Sequence, residues 1–396
     1  MKNYKLHISD GFKDIYGTEM LIKKELENRV LNVFNSYGYE LIKTPGLEYM
    51  DVYTLGKGQK PELYTLINRQ GEVLSLRSDM TSSVARFVST NKKLKAGVKK
   101  YCYSADTYRY PRLYQGKNHQ FLQAGVELIG DDSIEADITT IYLASTVLKK
   151  CNINNFTINL GSSLFLKTLF DDFKFSDEIQ KNIIEAIEHK DYVLLSQYLN
   201  SNVDREKAEF ITELMMRGGK LKYIDKQMNV LKDTKAYDVL KYLKNIYLTL
   251  NELGVDNIIF DFSIFSYQEY YTGIIFKIYI DSVTKEVVYG GRCDKLFKEY
   301  GEDTPNVGFG MDLDLITDYV YKNDLIDVKT KKYLSYQKEF FTKALLNNEE
   351  LRKDNIIVSH VNNLDNFDMA LNYAKDHKFD YIVLYNENGY ELKEVK

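Results

Sequence analysis

The chain has 396 residues, of which 44% are hydrophobic and 28% charged, a composition typical of a soluble globular protein with two or three domains. The net charge of −4 disfavours a broad nucleic-acid surface, and no apolar run approaches the roughly 18 residues of a membrane helix. Three scattered cysteines predict neither a zinc site nor a disulfide framework, and no secretory signal opens the sequence, so we expect a cytoplasmic protein.

The first part of the chain combines helices with hairpins. Residues 18–38 have the apolar spacing of a helix, and Gly38 suits its end. The segment "YELIKTPGLEYM" predicts extended chain, because Pro45 disfavours helical geometry at the residue before it. "ELYTLINRQGEVLSLR" predicts a hairpin, and "SDMTSSVARFVSTN" predicts a helix that Ser78 can cap, with Asp79 in its first turn. Two strands then flank a loop at "PRLYQGK".

The rest of the chain predicts a helical insertion and a small terminal domain. Residues 165–250 show helical spacing with few strand signals, and strands resume at "NIIFDFSI", "YTGIIFKIYI" and "VVYGG". After a polar linker, residues 333–396 predict a helix, a strand, a second helix and a hairpin. We therefore predict an α+β fold with an antiparallel sheet, divided into domains at residues 1–325 and 333–396.

The stretch "QEYYTGIIF" places two tyrosines, Tyr270 and Tyr271, side by side at the entrance of a predicted strand. Neighbouring side chains of a strand point to opposite faces. The pair is consistent with a hairpin corner in which one ring is packed and the other exposed. It is equally consistent with a pocket that holds a flat polar ligand.

Several segments between residues 8 and 320 form an ordered set. In chain order they are "GFKDIYG", "YGYELIKTPGLE", "LRSDMTSSVAR", "YRYPRLYQGKNHQFLQAGVE", "EYYTGIIF", "GGRCDKLFKEYG" and "VGFGMDLDLI". In this order they resemble the class II histidyl-tRNA synthetase family, with its motif 1, its LRPE/DxT segment, motif 2, the second histidine-specific signature, the GGRYD segment and motif 3. The resemblance implies a six-stranded antiparallel sheet flanked by helices, and a dimer formed through motif 1.

The resemblance also implies a histidine site. By position, its residues are Asp79, Thr81, Gln123, Glu127, Tyr270 and Tyr271. The chemistry agrees, since an ammonium group attracts carboxylates and an imidazole ring suits an aromatic wall with a hydrogen-bond partner. Ordinary alternatives exist for each residue: a helix-terminal charge for Asp79, a solvated strand face for Gln123 and Glu127, and simple packing for the tyrosines.

The sequence departs from an active synthetase in the half of the site that would hold ATP. Arg109 matches the motif 2 arginine and is a candidate phosphate contact, but Ser266 and Leu315 occupy the positions of the other two arginines. The remaining departures are Pro111, His119 and Cys293. Each missing donor to a developing charge costs about 10²- to 10³-fold in rate, so we expect no adenylation. No arginine lies between Arg217 and Arg292 or between Arg292 and Arg352, so no small shift of alignment restores one.

This combination resembles the regulatory subunits of short-form ATP phosphoribosyltransferase, which are paralogues of the synthetase. The resemblance implies a non-catalytic subunit that binds histidine, joins a short catalytic subunit in a hetero-octamer and transmits feedback inhibition. We expect no catalytic residues, no metal and no cofactor, and no tRNA partner, because residues 331–396 carry 10 Lys+Arg against 11 Asp+Glu. The alternatives are an active histidyl-tRNA synthetase and a stand-alone sensor or paralogue with another partner.

Overall fold

The chain divides into two compact units, one ending at Ile326 and the other beginning at Asp327. The computed structural model describes residues 4–54, 63–91, 97–110, 118–264, 271–301, 303–328, 331–336, 339–354 and 356–396. Within these ranges, no helix has both the length and the apolar character needed to cross a membrane. Each unit has its own sheet and its own buried core.

The larger unit is built on one long sheet. The strands of this unit are β1 (Glu40–Leu41), β2 (Leu47–Tyr49), β3 (Thr65–Ile67), β4 (Val73–Leu76), β5 (Lys99–Tyr108), β6 (Gln120–Ile129), β7 (Phe156–Ser162), β8 (Ile258–Phe260), β9 (Ile274–Ile280), β10 (Val288–Arg292) and β11 (Asn306–Asp312). In the described residues, eight of them form a sheet in the order β1-β5-β6-β11-β10-β9-β7-β8, and β2-β4-β3 form a separate small sheet.

The six central strands of the long sheet are antiparallel throughout. The α+β fold with an antiparallel sheet, as predicted, is thereby confirmed. These six strands match the six-stranded core that the resemblance implies, and β1 and β8 extend the sheet at its two edges by parallel pairing. Both added strands are only two or three residues long, and such short segments give little periodicity to read from sequence.

Helices surround this sheet. They are α1 (Gly17–Ser36), α2 (Thr81–Thr90), α3 (Ile134–Lys150), α4 (Ser163–Phe173), α5 (Asp177–Glu188), α6 (Tyr192–Asn202), α7 (Arg205–Met216), α8 (Leu221–Val230), α9 (Lys235–Glu252), α10 (Asp294–Glu299) and α11 (Leu313–Lys322), with 3-10 turns at Tyr4–Leu6 and Met50–Tyr53. The helices α4 to α9 follow one another without an intervening strand, where the sequence predicts the helical insertion.

Helix α1 shows how the sequence buries one face of the sheet. It presents an apolar stripe that includes Ile22, Leu26 and Val30, at the spacing of one helical face. Further along the helix, Phe34 packs edge-on against Phe309 of β11, with ring centroids 5.8 Å apart. The helix then ends before Gly38, whose φ of +79° is a left-handed conformation that glycine adopts without steric cost.

The opposite face of the long sheet is lined by glycines. The pairing register places Glu127, Gly308 and Gly291 side by side across β6, β11 and β10. Gly125 and Gly310 form the next pair on the same face, because side chains alternate along a strand. Helices α2 and α10 cover one end of this face through an apolar cluster that contains Met80, Val84, Tyr101, Tyr103, Leu296 and Phe297. We call this face the glycine floor.

The smaller unit is a four-stranded sheet with a helix packed on each face. Its elements are β12 (Lys332–Ser335), α12 (Phe341–Lys353), β13 (Ile357–His360), α13 (Phe367–Asp376), β14 (Tyr381–Asn386) and β15 (Gly389–Glu394). Strand β12 lies between β13 and β14 and is parallel to both, and β15 pairs antiparallel with β14. The sequence prediction for this tail began with a helix and missed β12, which is the centre of the sheet.

Candidate ligand-binding site

Glu127 stands at the centre of the glycine floor. Its side chain is only 1% exposed, and its Oε2 accepts a hydrogen bond of 2.9 Å from Nδ2 of Asn306. The carboxylate reaches across the opposite glycine, since a Cβ at Gly308 would lie 2.4 Å from Oε2. Gly308 is therefore required for this carboxylate to lie over the floor. The alternative of a solvated strand face is therefore excluded for Glu127.

Burial raises the pKa of the Glu127 carboxyl to about 7. Hydrogen bonds from Asn306 and Thr81 oppose this rise, and the negative charge of Asp79 adds to it. A buried carboxyl with a pKa near neutrality can hold a proton or accept an N–H from a ligand. A strongly shifted pKa in a cleft is a feature of functional sites.

Asp79 and Thr81 enter the site at the start of α2. The Asp79 carboxylate accepts a hydrogen bond of 2.9 Å from the backbone N–H of Ser82, so it caps the helix. The expectation that Ser78 caps this helix is wrong, because the acidic residue one position later takes that role. Asp79 therefore has a structural function as a helix cap in addition to its charge beside Glu127.

Gln123 shares the face of Glu127, as its spacing of four residues along β6 predicts. Its amide also reaches over a glycine, since a Cβ at Gly310 would lie 2.3 Å from Nε2. The Oε1 of Gln123 is buried and has no hydrogen-bond partner in the part of the chain that the structure describes. A buried acceptor without a partner costs free energy, which a ligand N–H donor would recover.

Tyr271 forms a wall of the floor next to Gly291. A Cβ at Gly291 would lie 2.9 Å from the Tyr271 ring, and the ring meets Tyr289 edge-on with centroids 5.5 Å apart. The next residue, Thr272, donates a hydrogen bond of 2.8 Å to Asp294, which fixes the entrance of β9 against α10. Tyr270 lies outside the described residues, so its position stays a prediction.

Arg109 lies beside the start of β6, at the opposite end of this strand from Glu127. Its guanidinium stacks 5.2 Å above the Phe121 ring, and its Nε donates to the carbonyl of Ser78 over 3.1 Å. Asp312 is close enough for Arg109 to lower its pKa, although burial dominates and raises that pKa to about 6. The guanidinium is solvent-exposed, and its contact with a phosphate stays a prediction.

The other positions that differ from a synthetase are accommodated in different ways. His119 packs beneath Gly11 in a group of rings that includes Phe12, Tyr64 and Tyr110. The backbone N–H of Leu315 donates to Asp312 over 3.0 Å, as part of the start of α11. Ser266 and Pro111 lie outside the described residues.

Cys293 closes the floor behind Glu127. Its thiol is buried and receives an N–H contact of 3.5 Å from Asn306, and burial raises the pKa of the thiol well above its usual value. This residue is therefore a neutral packing group in the pocket. Sequence reasoning noted the change at Cys293 but missed Asn306, which touches both Cys293 and Glu127.

Together these residues form a cluster on the glycine floor that combines a buried carboxyl, an amide oxygen without a partner in the described ranges and an aromatic wall. The structure places Thr81 and Asp79 close enough to Glu127 to shift the pKa of its carboxyl, and it places Gln123 and Tyr271 on the same floor. Such a pocket suits a small ligand with N–H donors and a flat ring.

The fold and the pocket define a class II aminoacyl-tRNA synthetase-like protein. The sequence profile of histidyl-tRNA synthetase matches residues 11–316. A protein of Clostridium botulinum named ATP phosphoribosyltransferase regulatory subunit is 32% identical, with 97% of this chain and 92% of the relative covered. A protein of the same name in Clostridium kluyveri is 30% identical, with 96% and 99% covered. The chain therefore belongs to the histidyl-tRNA synthetase family, and within it to the ATP phosphoribosyltransferase regulatory subunits.

Two solved structures share the fold. An ATP phosphoribosyltransferase regulatory subunit/histidyl-tRNA synthetase of Bacillus halodurans superposes with a TM-score of 0.84 at 24% identity, covering 96% of this chain and 98% of the other. A histidyl-tRNA synthetase of Nostoc gives a TM-score of 0.83 at 18% identity, covering 98% and 94%. The same fold therefore occurs in proteins with both names, so the fold alone does not assign the function.

Proposed function

We propose that this chain is a non-catalytic regulatory subunit that binds histidine and controls a short-form ATP phosphoribosyltransferase. The observation that carries the proposal is the Glu127 carboxyl, buried over the glycine floor beside the Tyr271 wall. A free imidazole has two ring nitrogens, and one N–H directed at this carboxyl would satisfy both partners. The names of the relatives support the same role.

Histidine would enter this pocket with its ring towards Glu127. Its ammonium group would lie near Asp79, Thr81 and the open Oε1 of Gln123, which is an acceptor without a protein partner in the described ranges. The tyrosine pair would flank the ring, with Tyr271 beside Gly291. This arrangement would contact two of the three polar parts of histidine, the imidazole ring and the ammonium group, but not its carboxylate.

The absence of catalysis is inferred from the half of the site that would hold ATP. Leu315 supplies no positive charge where the family resemblance places an arginine, and His119 is turned into a ring cluster beneath Gly11. Adenylation needs cations directed at the developing phosphoryl charge. Arg109 alone, tied to the Ser78 carbonyl, would be insufficient.

Control of a partner requires that histidine binds one state of the complex more tightly than the other. The Tyr271 wall is joined through Thr272 and Asp294 to α10, which is a route by which ligand binding can reach another surface. Self-association through the motif 1 region is supported by the small sheet, where Tyr49 is 55% and Ile67 72% exposed. We propose that this apolar surface takes part in the dimer that underlies the hetero-octamer.

Two measurements on the purified full chain test the proposal. Isothermal titration calorimetry should detect histidine binding that Glu127→Ala removes. ATP–pyrophosphate exchange with histidine should stay at background, because the cations for adenylation are missing. Appreciable exchange would instead support the second candidate, an active histidyl-tRNA synthetase, which the profile match over residues 11–316 favours.

A further inference from the structure

The connections of the smaller unit change direction at its central strand. Strand β12 leads through α12 to β13 on one side, and β13 leads through α13 to β14 on the other side of β12. The two helices cover opposite faces of the sheet, since Ala344 of α12 belongs to one apolar cluster and Ala370 of α13 to another. In open α/β sheets, ligands bind outside the carboxyl ends of neighbouring strands whose connections leave to opposite faces. In this unit, that place is at the carboxyl ends of β12 and β13.

Polar side chains occupy both of these strand ends. Ser335 and His360 are the last residues of β12 and β13, and the register places them opposite each other. The Oγ of Ser335 lies 2.9 Å from Nδ1 of His360. Phe341, the first residue of α12, meets the imidazole edge-on, with ring centroids 5.2 Å apart. The start of α12 and the ends of both strands therefore meet at His360.

A chain of hydrogen bonds fixes the position of the proton on this imidazole. The Tyr385 hydroxyl donates to Oδ1 of Asn348 over 2.5 Å. Burial raises the pKa of Tyr385 to about 12, and a hydrogen bond from Ser335 opposes this rise. Because the Tyr385 hydrogen is used on Asn348, Ser335 is the donor to Tyr385, and the Ser335 oxygen accepts from Nδ1 of His360. The neutral imidazole therefore carries its proton on Nδ1 and has a bare Nε2.

Each end of this hydrogen-bond chain is a buried polar atom. His360 Nε2 and Asn348 Nδ2 have no hydrogen-bond partner in the described ranges, and the Asn348 side chain is fully buried. A buried polar atom without a partner costs free energy that a ligand can recover. Asn348 lies two turns further along α12, so His360 Nε2 is the atom of the two that lies at the strand ends.

The charges around His360 favour an anion. The residue before α12 is Phe340, which has no side chain able to cap the positive N-terminus of this 13-residue helix. Lys343, in the first turn, donates to two carbonyls of the β14–β15 turn over 2.9 and 2.6 Å, and it pairs with no carboxylate in the described ranges. Glu339, the acidic residue just before the helix, is exposed. The carboxyl ends of the strands are therefore a site of positive potential.

We propose that the carboxyl ends of β12 and β13 form a second ligand site, which binds a phosphate group through His360 Nε2 and the start of α12. A phosphate group titrates close to neutral pH, so it can supply the proton that it shares with Nε2 while its other oxygens accept from the N–H groups of α12. Only hydrogen bonds form. The Phe341 side chain, which is 42% exposed, turns aside to uncover Nε2.

Imidazole-selective NMR of the full chain tests this assignment, because the sequence has only five histidines. Inorganic phosphate should shift the His360 signal saturably, with half-saturation at about 1 mM, and His360→Gln identifies that signal. The His377 signal is the internal control, since this exposed ring stacks on Tyr373 in α13 and should not move. Sulfate at equal ionic strength brings no proton to share and should bind at least about 10-fold more weakly.

Equilibrium dialysis with radiolabelled phosphate measures the same site in variants of the full chain. His360→Leu should weaken phosphate binding by at least about 10-fold, whereas Phe341→Ala should bind phosphate at least as tightly as the wild type. Arg109→Met removes the candidate phosphate contact of the larger unit and should leave binding at His360 unchanged. Glycerol 3-phosphate as a competitor separates two sources of the ligand: displacement indicates a phosphate-bearing small molecule, and no displacement indicates free phosphate.

Three results would overturn the second site. The first is a His360 signal that phosphate leaves unchanged, and the second is a His360 signal that sulfate shifts equally. The third is phosphate binding that survives in His360→Leu and disappears in Arg109→Met, because that phosphate would belong to the larger unit. If His360→Leu does not fold, the NMR result on the wild type decides alone. None of these results bears on the proposed histidine site, whose residues lie in the larger unit.

Discussion

Replacing Glu127 with glutamine should make the stability of this protein less dependent on pH. The carboxyl has a native pKa of about 7, raised from 4.5 by burial, so the native state holds the proton more tightly than the unfolded chain. The wild type should therefore lose stability as pH rises from about 4.5 to about 7, and then level off. The loss corresponds to about 3 kcal/mol, at about 1.36 kcal/mol for each pKa unit.

The Glu127→Gln side chain keeps the oxygen that accepts from Asn306 but carries no charge to bury. Urea unfolding followed by circular dichroism at several pH values between about 5 and about 8 measures the effect. The variant should match the wild type near pH 5 and exceed it by up to about 3 kcal/mol near pH 8. Glu252→Gln, at an exposed position at the end of α9, is the matched control and should show no such trend. If the variant and the wild type differ in free energy of unfolding by the same amount at about pH 5 and at about pH 8, the reasoning is refuted.

Two further substitutions test the floor and its support. Gly308→Ala would place a Cβ 2.4 Å from Glu127 Oε2, so calorimetry should show loss of histidine binding, whereas Gly46→Ala, with open space around it, should bind normally. Arg292→Met breaks the buried 2.7 Å pair with Asp137 and should lower the free energy of unfolding by about 3–5 kcal/mol, against about 0–1 kcal/mol for Arg205→Met, whose pair is exposed. Equal loss of histidine binding in Gly308→Ala and Gly46→Ala, or equal loss of stability in Arg292→Met and Arg205→Met, would contradict these assignments.

The sequence predicts the architecture well where elements are long. The apolar residues of α1 recur at four-residue spacing, and the strands β5 and β6 are ten residues long, so these elements are recognisable from the sequence. The shared face of Gln123 and Glu127 follows from strand geometry alone. These features depend on neighbours in the chain, which a single sequence displays directly.

Other features depend on pairing that a single sequence does not display. Strand β12 is four residues long, and its central place comes from parallel partners at β13 and β14. Asn306 reaches Glu127 only because β11 pairs with β6. The raised pKa of Glu127 likewise arises from tertiary burial, which explains why its spacing alone left a solvated strand face open.

For Asp79 the structure confirms the helix-terminal role, and the ligand contact stays a prediction. The sequence allowed either a helix-terminal charge or a ligand contact, and the structure shows that the carboxylate caps α2 while its charge acts on Glu127. Substitution of Asp79 would therefore change helix stability and the pocket together. Glu127 has no such second role in a helix and is the cleaner probe of the site.

The central claim is that histidine sensed at Glu127 controls a catalytic partner. The most direct measurement is the steady-state rate of ATP phosphoribosyl transfer by the short catalytic subunit, with and without this chain and histidine. The account predicts that the chain raises the rate, that histidine lowers it, and that Glu127→Ala keeps the activation while losing the inhibition. Glu252→Ala should behave like the wild type. Inhibition by histidine that persists in Glu127→Ala, or a chain that leaves the rate unchanged, would contradict the account.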